Sequence, residues 1–73
     1  MKIPQNLKKT EFDGRKALII GDHPFSKKIA VCIGAFKGAL GWYLAFEELK
    51  TKERFEVLQP SNVTWIQEYR NEN

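Results

Sequence analysis

The fold is decided by a stretch near the C-terminus, RFEVLQPSNVTWI, which covers residues 54–66. Its first part alternates apolar and charged residues, so a strand would place Phe55 and Val57 together on the inward face. Turn-forming residues follow at 59–62, where a proline presets φ and an asparagine tolerates turn geometry. We therefore expect two short strands joined by a tight turn, with the second strand over residues 63–66.

Three further apolar runs lie upstream of this stretch, at residues 16–20, 29–36 and 40–49. The first is short and rich in β-branched residues, and the second alternates large and small side chains with a period of two. Glycine, proline and asparagine-type turn signals separate the runs. Each run is therefore predicted to be a strand.

Two of the predicted strands have a helical alternative. As a strand, residues 40–49 place on one face Trp42, Leu44 and Phe46. As a helix, the same residues align Trp42, Tyr43, Phe46 and Leu49. Nearby glycines, the aromatic density and the lack of a capping residue favour the strand. Residues 61–69 also admit a helix that begins at Ser61.

Five short strands predict an all-β domain, a small five-stranded antiparallel barrel. Closure of the sheet would remove the exposed edges that make apolar strands aggregate, and it would help a chain of 73 residues whose core is small. We expect an irregular N-terminal arm over residues 1–14, the barrel over 15–67 and a flexible tail over 68–73.

The C-terminal third resembles the SH3 family. Trp42-Tyr43 stands where that family has an aromatic pair, and Pro60-Ser61-Asn62-Val63 is similar to its closing turn. The resemblance implies a short 3-10 turn before the last strand and a ligand groove to which Trp42, Pro60 and Asn62 contribute. The first strand lacks the family's tyrosines, and Val63 replaces the tyrosine that usually follows the turn.

The first half is similar to a KOW-type barrel, as found in ribosomal proteins and transcription elongation factors. The similarity runs from Gly14 through the strand at 16–20 and a basic loop to a second strand at 29–33. The loop glycine of that family is replaced by Ser26-Lys27-Lys28. Both resemblances imply the same small-barrel architecture.

The composition narrows the chemistry. Cys32 and His23 are the only residues of their types, so neither an internal disulfide nor the usual tetrahedral zinc set can be assembled within one chain. We expect Cys32 to be a small buried hydrophobe, and we expect no metal or cofactor. No segment reaches the ~20 apolar residues of a membrane span, and the N-terminus does not fit a signal peptide. The predicted location is the cytoplasm.

No catalytic constellation is indicated. His23 stands alone in a loop next to a proline, where it would shape the loop or face solvent. On a strand, the adjacent Glu47 and Glu48 would point to opposite faces and could not act on one atom. We therefore expect a binding module and not an enzyme.

The leading functional hypothesis is contact with RNA or single-stranded DNA. Residues 1–40 carry eight Lys/Arg and three acidic residues, within a net charge of +3 for the chain. Cations of this half could neutralise phosphates, and neighbouring aromatics could stack on bases. The candidate residues are Arg15, Lys16, Phe25, Lys27, Lys28 and Lys37, with Lys27-Lys28 expected at the tip of the first long loop.

The alternative is a protein-binding module or a small assembly subunit. An extended peptide would lie on a surface formed by Trp42, Tyr43, Pro60 and Asn62. A partner sheet could also add to the edge at residues 54–58. A homo-oligomer is a further partner hypothesis.

Overall fold

A computed structural model of the protein describes residues 3–66 and shows one five-stranded antiparallel sheet. The strands are β1 (Lys16–Ile19), β2 (Ile29–Gly38), β3 (Gly41–Glu48), β4 (Arg54–Val57) and β5 (Val63–Trp65). A 3-10 turn at Pro60–Asn62 precedes β5, and its Pro60 occupies the first turn, where a missing N–H costs nothing. The all-β class, the strand count and the turn are confirmed. The predicted tail at 68–73 lies outside the described residues.

Strand order in the sheet is β4-β3-β2-β1-β5, and the two edge strands do not pair with each other. The expected closure into a barrel is therefore wrong: the sheet is open. One reason is the brevity of β4 and β5, which have four and three residues. A second reason is that the His23 side chain, and not another strand, covers the edge of β4. The carbonyl oxygen of Glu56 in β4 lies 3.1 Å from His23 Nε2.

The ambiguous run around Trp42 is a strand. Strand β3 lies between β2 and β4 and pairs with both, for example through Cys32↔Phe46 and Phe46↔Phe55. As the sequence predicts, Leu44 and Phe46 share a face, and that face packs on the main core. Pairing on both edges satisfies the backbone groups of the strand, which outweighs the helix propensity of its second half.

A first core fills one side of the sheet. Its buried members are Ala17, Ile19, Ala30, Cys32, Phe46, Phe55 and Val57. From β2 the small residues Ala30 and Cys32 face this core, whereas Ile29 is 40% exposed. The large rings of β3 and β4 occupy the space that the small β2 residues leave, as close packing requires.

A bulge in β2 creates a second core on the other side. Register with β3 shifts between Cys32 and Gly34, and beyond this point Phe36 faces a cluster that includes Tyr43 and Ala45. An extra residue in one strand reverses which residues face each side. The sheet consequently has a buried cluster on both faces.

The N-terminal arm covers the second core, with Ile3 and Leu7 packed against it. The backbones of Lys8 and Ala35 exchange two hydrogen bonds of 2.8 and 2.9 Å. This close approach requires Gly34, because a Cβ there would lie 2.7 Å from the Leu7 Cβ. Ile3 and Leu7 are therefore the apolar side chains through which the arm docks on the second core.

Candidate functional site

An apolar groove opens between β4, the 3-10 turn and β5, with a volume of about 390 Å³. Its walls are formed by Phe12, Trp42, Leu44, Val57, Leu58, Gln59, Pro60, Val63 and Trp65. The groove exists because the sheet is open here: the gap between the two edge strands is lined by side chains and not closed by a ladder. We call this feature the apolar groove.

Trp42 forms one lip of the apolar groove, and its side chain is 53% exposed. Its cross-strand partner is Lys37, so a cation lies beside the indole on the same face. Within residues 3–66 no other aromatic ring stacks on this indole. The turn of the β2–β3 hairpin falls at residues 39–40, so Lys37 belongs to strand β2.

Three side chains stack at the opposite lip. The Phe12 and Trp65 rings are parallel within 13° at a centroid distance of 4.7 Å. The Arg15 guanidinium lies 5.2 Å from the Trp65 ring centroid and 5.8 Å from that of Phe12. A cation over an aromatic face is attracted by its quadrupole, so this stack holds Arg15 in place at the groove.

Phe12 and Trp65 were not among the site residues predicted from the sequence. Phe12 falls in the irregular arm, and Trp65 falls in the last predicted strand. Their meeting depends on the path of the arm relative to β5, which no local pattern encodes. One arginine and two aromatic residues are too common in a sequence to predict that Phe12 and Trp65 would meet at a site.

The four residues predicted for protein binding are divided between two surfaces. Trp42 and Pro60 line the apolar groove, whereas Tyr43 and Asn62 border an adjoining, more polar cleft of about 650 Å³ that shares Leu58 and Gln59 with the groove. Tyr43 is 6% exposed and stacks on Phe36 at 5.2 Å. Asn62 Nδ2 donates a 2.8 Å hydrogen bond to the Ile20 carbonyl oxygen. The Asn62 side chain therefore anchors the loop after β1.

The six residues predicted for nucleic-acid contact also do not form one surface. Arg15 and Lys37 flank the apolar groove, and Lys16 pairs opposite Val31 within the sheet. Lys27 and Lys28 adjoin the other end of β2.

Residues of the loop between β1 and β2 depart from the expected arrangement. The Lys27 amide donates to the Ile19 carbonyl over 2.6 Å, so Lys27 and Lys28 stand at the base of the loop and not at its tip. Phe25 packs on Phe55, with centroids 4.1 Å apart and rings parallel within 7°. The Phe25 ring therefore covers the first core. Its contact with another aromatic ring stabilises the loop.

A third cleft, of about 240 Å³, lies beside Lys27 and Lys28. It is lined by Lys27, Lys28, Ile29, Glu48, Leu49 and Lys50. The Glu48 carboxylate accepts hydrogen bonds from the Lys50 and Thr51 amides at 3.1 and 2.8 Å and from the Thr51 hydroxyl at 2.9 Å. These bonds, led by the Lys50 amide and helped by the charge of Lys28, hold the pKa of Glu48 below its ordinary value. We call this feature the lysine cleft.

The isolated cysteine and histidine have structural environments. Cys32 is 1% exposed, and burial raises the pKa of its thiol. His23 Nδ1 accepts a 3.0 Å hydrogen bond from the Phe25 amide, which leaves the proton on Nε2 to be donated to the Glu56 carbonyl. Residues 3–66 contain no cluster of three or more His, Cys, Asp or Glu side chains placed to share a metal ion.

Comparison of the chain with protein-family models, with curated proteins and with solved structures finds no match. No helix in the described part of the chain is long and apolar enough to cross a membrane.

Proposed function

We propose that the protein is a non-enzymatic module that holds an extended segment of a protein partner in the apolar groove. The observation that carries this proposal is Trp42, a large aromatic side chain left 53% exposed at the lip of a concave apolar surface. Half-exposed tryptophans beside a pocket are typical anchors of protein interfaces. Trp42 and Pro60 are also two of the residues that the SH3 resemblance carries over to a ligand groove, and an SH3-like architecture is part of this proposal.

The chemistry of the groove indicates what the partner segment contains. Aliphatic and aromatic walls of about 390 Å³ suit one or two apolar side chains. Cations stand on both sides, with Lys37 beside Trp42 and Arg15 on Trp65. A segment with a leucine or an aromatic residue between acidic residues would therefore bury its apolar side chain and pair its carboxylates with these cations.

The groove favours a peptide over a nucleic acid. Stacking of several bases requires several open aromatic faces, and the Phe12 and Trp65 rings already stack on each other, which leaves the Trp42 indole as the open ring of the groove. Only two of the six residues predicted for nucleic-acid contact, Arg15 and Lys37, flank this groove. Binding of nucleic acid by the groove therefore has less support than binding of a peptide.

The proposal is tested with a synthetic peptide set. Ten-residue peptides carry a central Leu, Phe or Trp flanked by glutamates, and matched peptides carry lysines in place of the glutamates. Binding is followed by the amide and indole NMR signals of the ¹⁵N-labelled protein. We expect the acidic peptides to shift the Trp42 and Trp65 indole signals and the lysine peptides to leave them unchanged.

Two variants make the result specific. Trp42→Ala should weaken binding of the acidic peptides at least about tenfold. Leu40→Ala removes an exposed apolar side chain of the neighbouring turn, 76% exposed and outside the groove, and should bind as the parent does. The proposal is wrong if no acidic peptide shifts the indole signals or if Trp42→Ala binds as tightly as Leu40→Ala.

A further inference from the structure

Two loops meet at the end of the sheet where β2 begins. The loop at residues 20–28 leads into β2, and the turn at 49–53 joins β3 to β4. A 3.1 Å hydrogen bond from the Leu49 amide to the Ile29 carbonyl ties them together. Their contact brings Lys50 to Lys27 and Lys28 in the lysine cleft, although more than twenty positions separate these residues in the chain.

The one carboxylate of the lysine cleft does not neutralise all three ammonium groups. Glu48 is 4% exposed and directs its oxygens to the Lys50 and Thr51 amides and the Thr51 hydroxyl. Within residues 3–66 no carboxylate forms an ion pair with Lys27 or Lys50. The cleft therefore presents an excess of positive charge on a surface held by hydrogen bonds.

Lysine occupies two positions in the loops that form this cleft where the backbone favours glycine or asparagine, one of which, Lys27, lines the cleft itself. Lys27 and Lys52 have φ values of +70° and +66°, and they are the two non-glycine residues with positive φ in the described part of the chain. A Cβ makes this left-handed conformation costly. Hydrogen bonds from the Lys27 amide to Ile19 and from the Lys52 amide to Glu48 hold both conformations. Backbone strain of this kind clusters at binding sites.

We propose that the lysine cleft binds the phosphate groups of a single-stranded nucleic acid. This inference is independent of the apolar groove, because none of the residues that line the cleft lines the groove.

The side chains of the lysine cleft favour phosphate over a carboxylate ligand. The cations that line it are all lysines, which bind phosphate groups as compact point charges. Ile29, 40% exposed, and Leu49 form an apolar floor on which a base can rest. A cleft of about 240 Å³ is small for a free nucleotide, which favours a polymer that adds phosphates beyond it.

The experiment measures fluorescence anisotropy of a labelled twelve-residue oligothymidylate at several salt concentrations. Neutralisation of three phosphates predicts a slope of about −2 for log K against log salt. The double variant Lys27→Asn/Lys50→Gln removes two charges, and asparagine tolerates the left-handed backbone. We expect its slope to flatten by about 1.4 and its affinity at low salt to fall about tenfold or more.

A control variant, Lys8→Gln/Lys9→Gln, removes two exposed charges from the arm, and its affinity should stay within about twofold of the parent. The same titration with a twelve-residue polyglutamate and with inorganic pyrophosphate separates phosphodiester from other anions. The proposal is overturned if the oligonucleotide does not bind at low salt or if both double variants lose the same affinity. Equal binding of polyglutamate, or of pyrophosphate alone, also overturns it, and would identify a general anion surface or a free-phosphate site.

Discussion

Trp42 and Tyr43 are adjacent in the chain and project from opposite faces of strand β3. The Trp42 indole is 53% exposed at the apolar groove, whereas the Tyr43 ring is 6% exposed and stacks on Phe36 at 5.2 Å. Successive side chains of a strand alternate between faces, so the aromatic pair cannot act as one binding surface. The proposed binding role therefore falls to Trp42 alone, and Tyr43 belongs to the second core.

Substitution of Trp42 should affect stability much less than substitution of a core ring. We expect Trp42→Ala to change the free energy of unfolding by about 1 kcal/mol or less, because half of the side chain is already in water. Phe46→Ala, at 0% exposure, should cost about 3–5 kcal/mol. Urea unfolding measures both. A loss of several kcal/mol in Trp42→Ala would show that this side chain is part of the core.

Gly34→Ala should detach the N-terminal arm. The added Cβ would lie 2.7 Å from the Leu7 Cβ, and φ at this position is +152°. We expect a loss of about 1–3 kcal/mol in the free energy of unfolding and faster hydrogen exchange at the Lys8 amide.

The matched control for Gly34 is Gly14→Ala. Gly14 also has a positive φ, +84°, but no atom lies within 4 Å of its added Cβ. This variant should lose stability through backbone strain alone, and the Lys8 amide should keep its protection. Equal exposure of the Lys8 amide in both variants would contradict the role of Gly34 in docking the arm.

Asn62→Ala tests the anchor of the loop after β1. It removes the 2.8 Å hydrogen bond to the Ile20 carbonyl and should cost about 0.5–1.5 kcal/mol. Ser61→Ala, at the exposed neighbouring position, should stay within about 0.5 kcal/mol of the parent. Thermal unfolding of the two variants side by side measures the difference in their stability. Similar melting temperatures would show that the Asn62 side chain does not anchor the loop.

Acid should remove the stabilisation that Glu48 provides. Hydrogen bonds to its carboxylate lower its folded-state pKa from the ordinary value of 4.5. A lowered folded pKa means that the stabilisation is complete above the ordinary pKa and is lost as pH falls through the folded value. Glu48→Gln should therefore be less stable than the parent at pH 7, and the gap should narrow below pH 4.5.

Urea unfolding between pH 7 and pH 2.5 measures the gap between Glu48→Gln and the parent. Glu53→Gln, an exposed change in the same turn, keeps the Glu48 carboxylate and should follow the parent's decline with acid. A constant gap between Glu48→Gln and the parent across this range would rule out the role assigned to Glu48.

The Cys32 thiol should resist modification in the folded protein. Burial raises its pKa, which lowers the fraction of reactive thiolate, and 1% exposure restricts access. We expect iodoacetamide at pH 8 to modify the native protein at least about a hundredfold more slowly than the urea-unfolded chain. Similar rates in the two states would show that Cys32 is accessible.

The sequence by itself determined those features that depend on neighbouring residues. Alternation with a period of two places Phe55 and Val57 of β4 inward, and proline at position 60 ends one strand and starts the turn before the next. The burial of Cys32 also follows from its apolar run. These features are local because backbone sterics and side-chain alternation act over a few residues.

Only the tertiary structure decided which distant residues meet. The stack of Phe12 on Trp65 and the approach of Lys50 to Lys27 join segments far apart in the chain, and the β2 bulge reverses the faces of the residues beyond it. The open edge between β4 and β5, which forms the apolar groove, likewise depends on the whole sheet. Contacts of this kind are set by packing and register summed over all strands, and a local pattern cannot encode them.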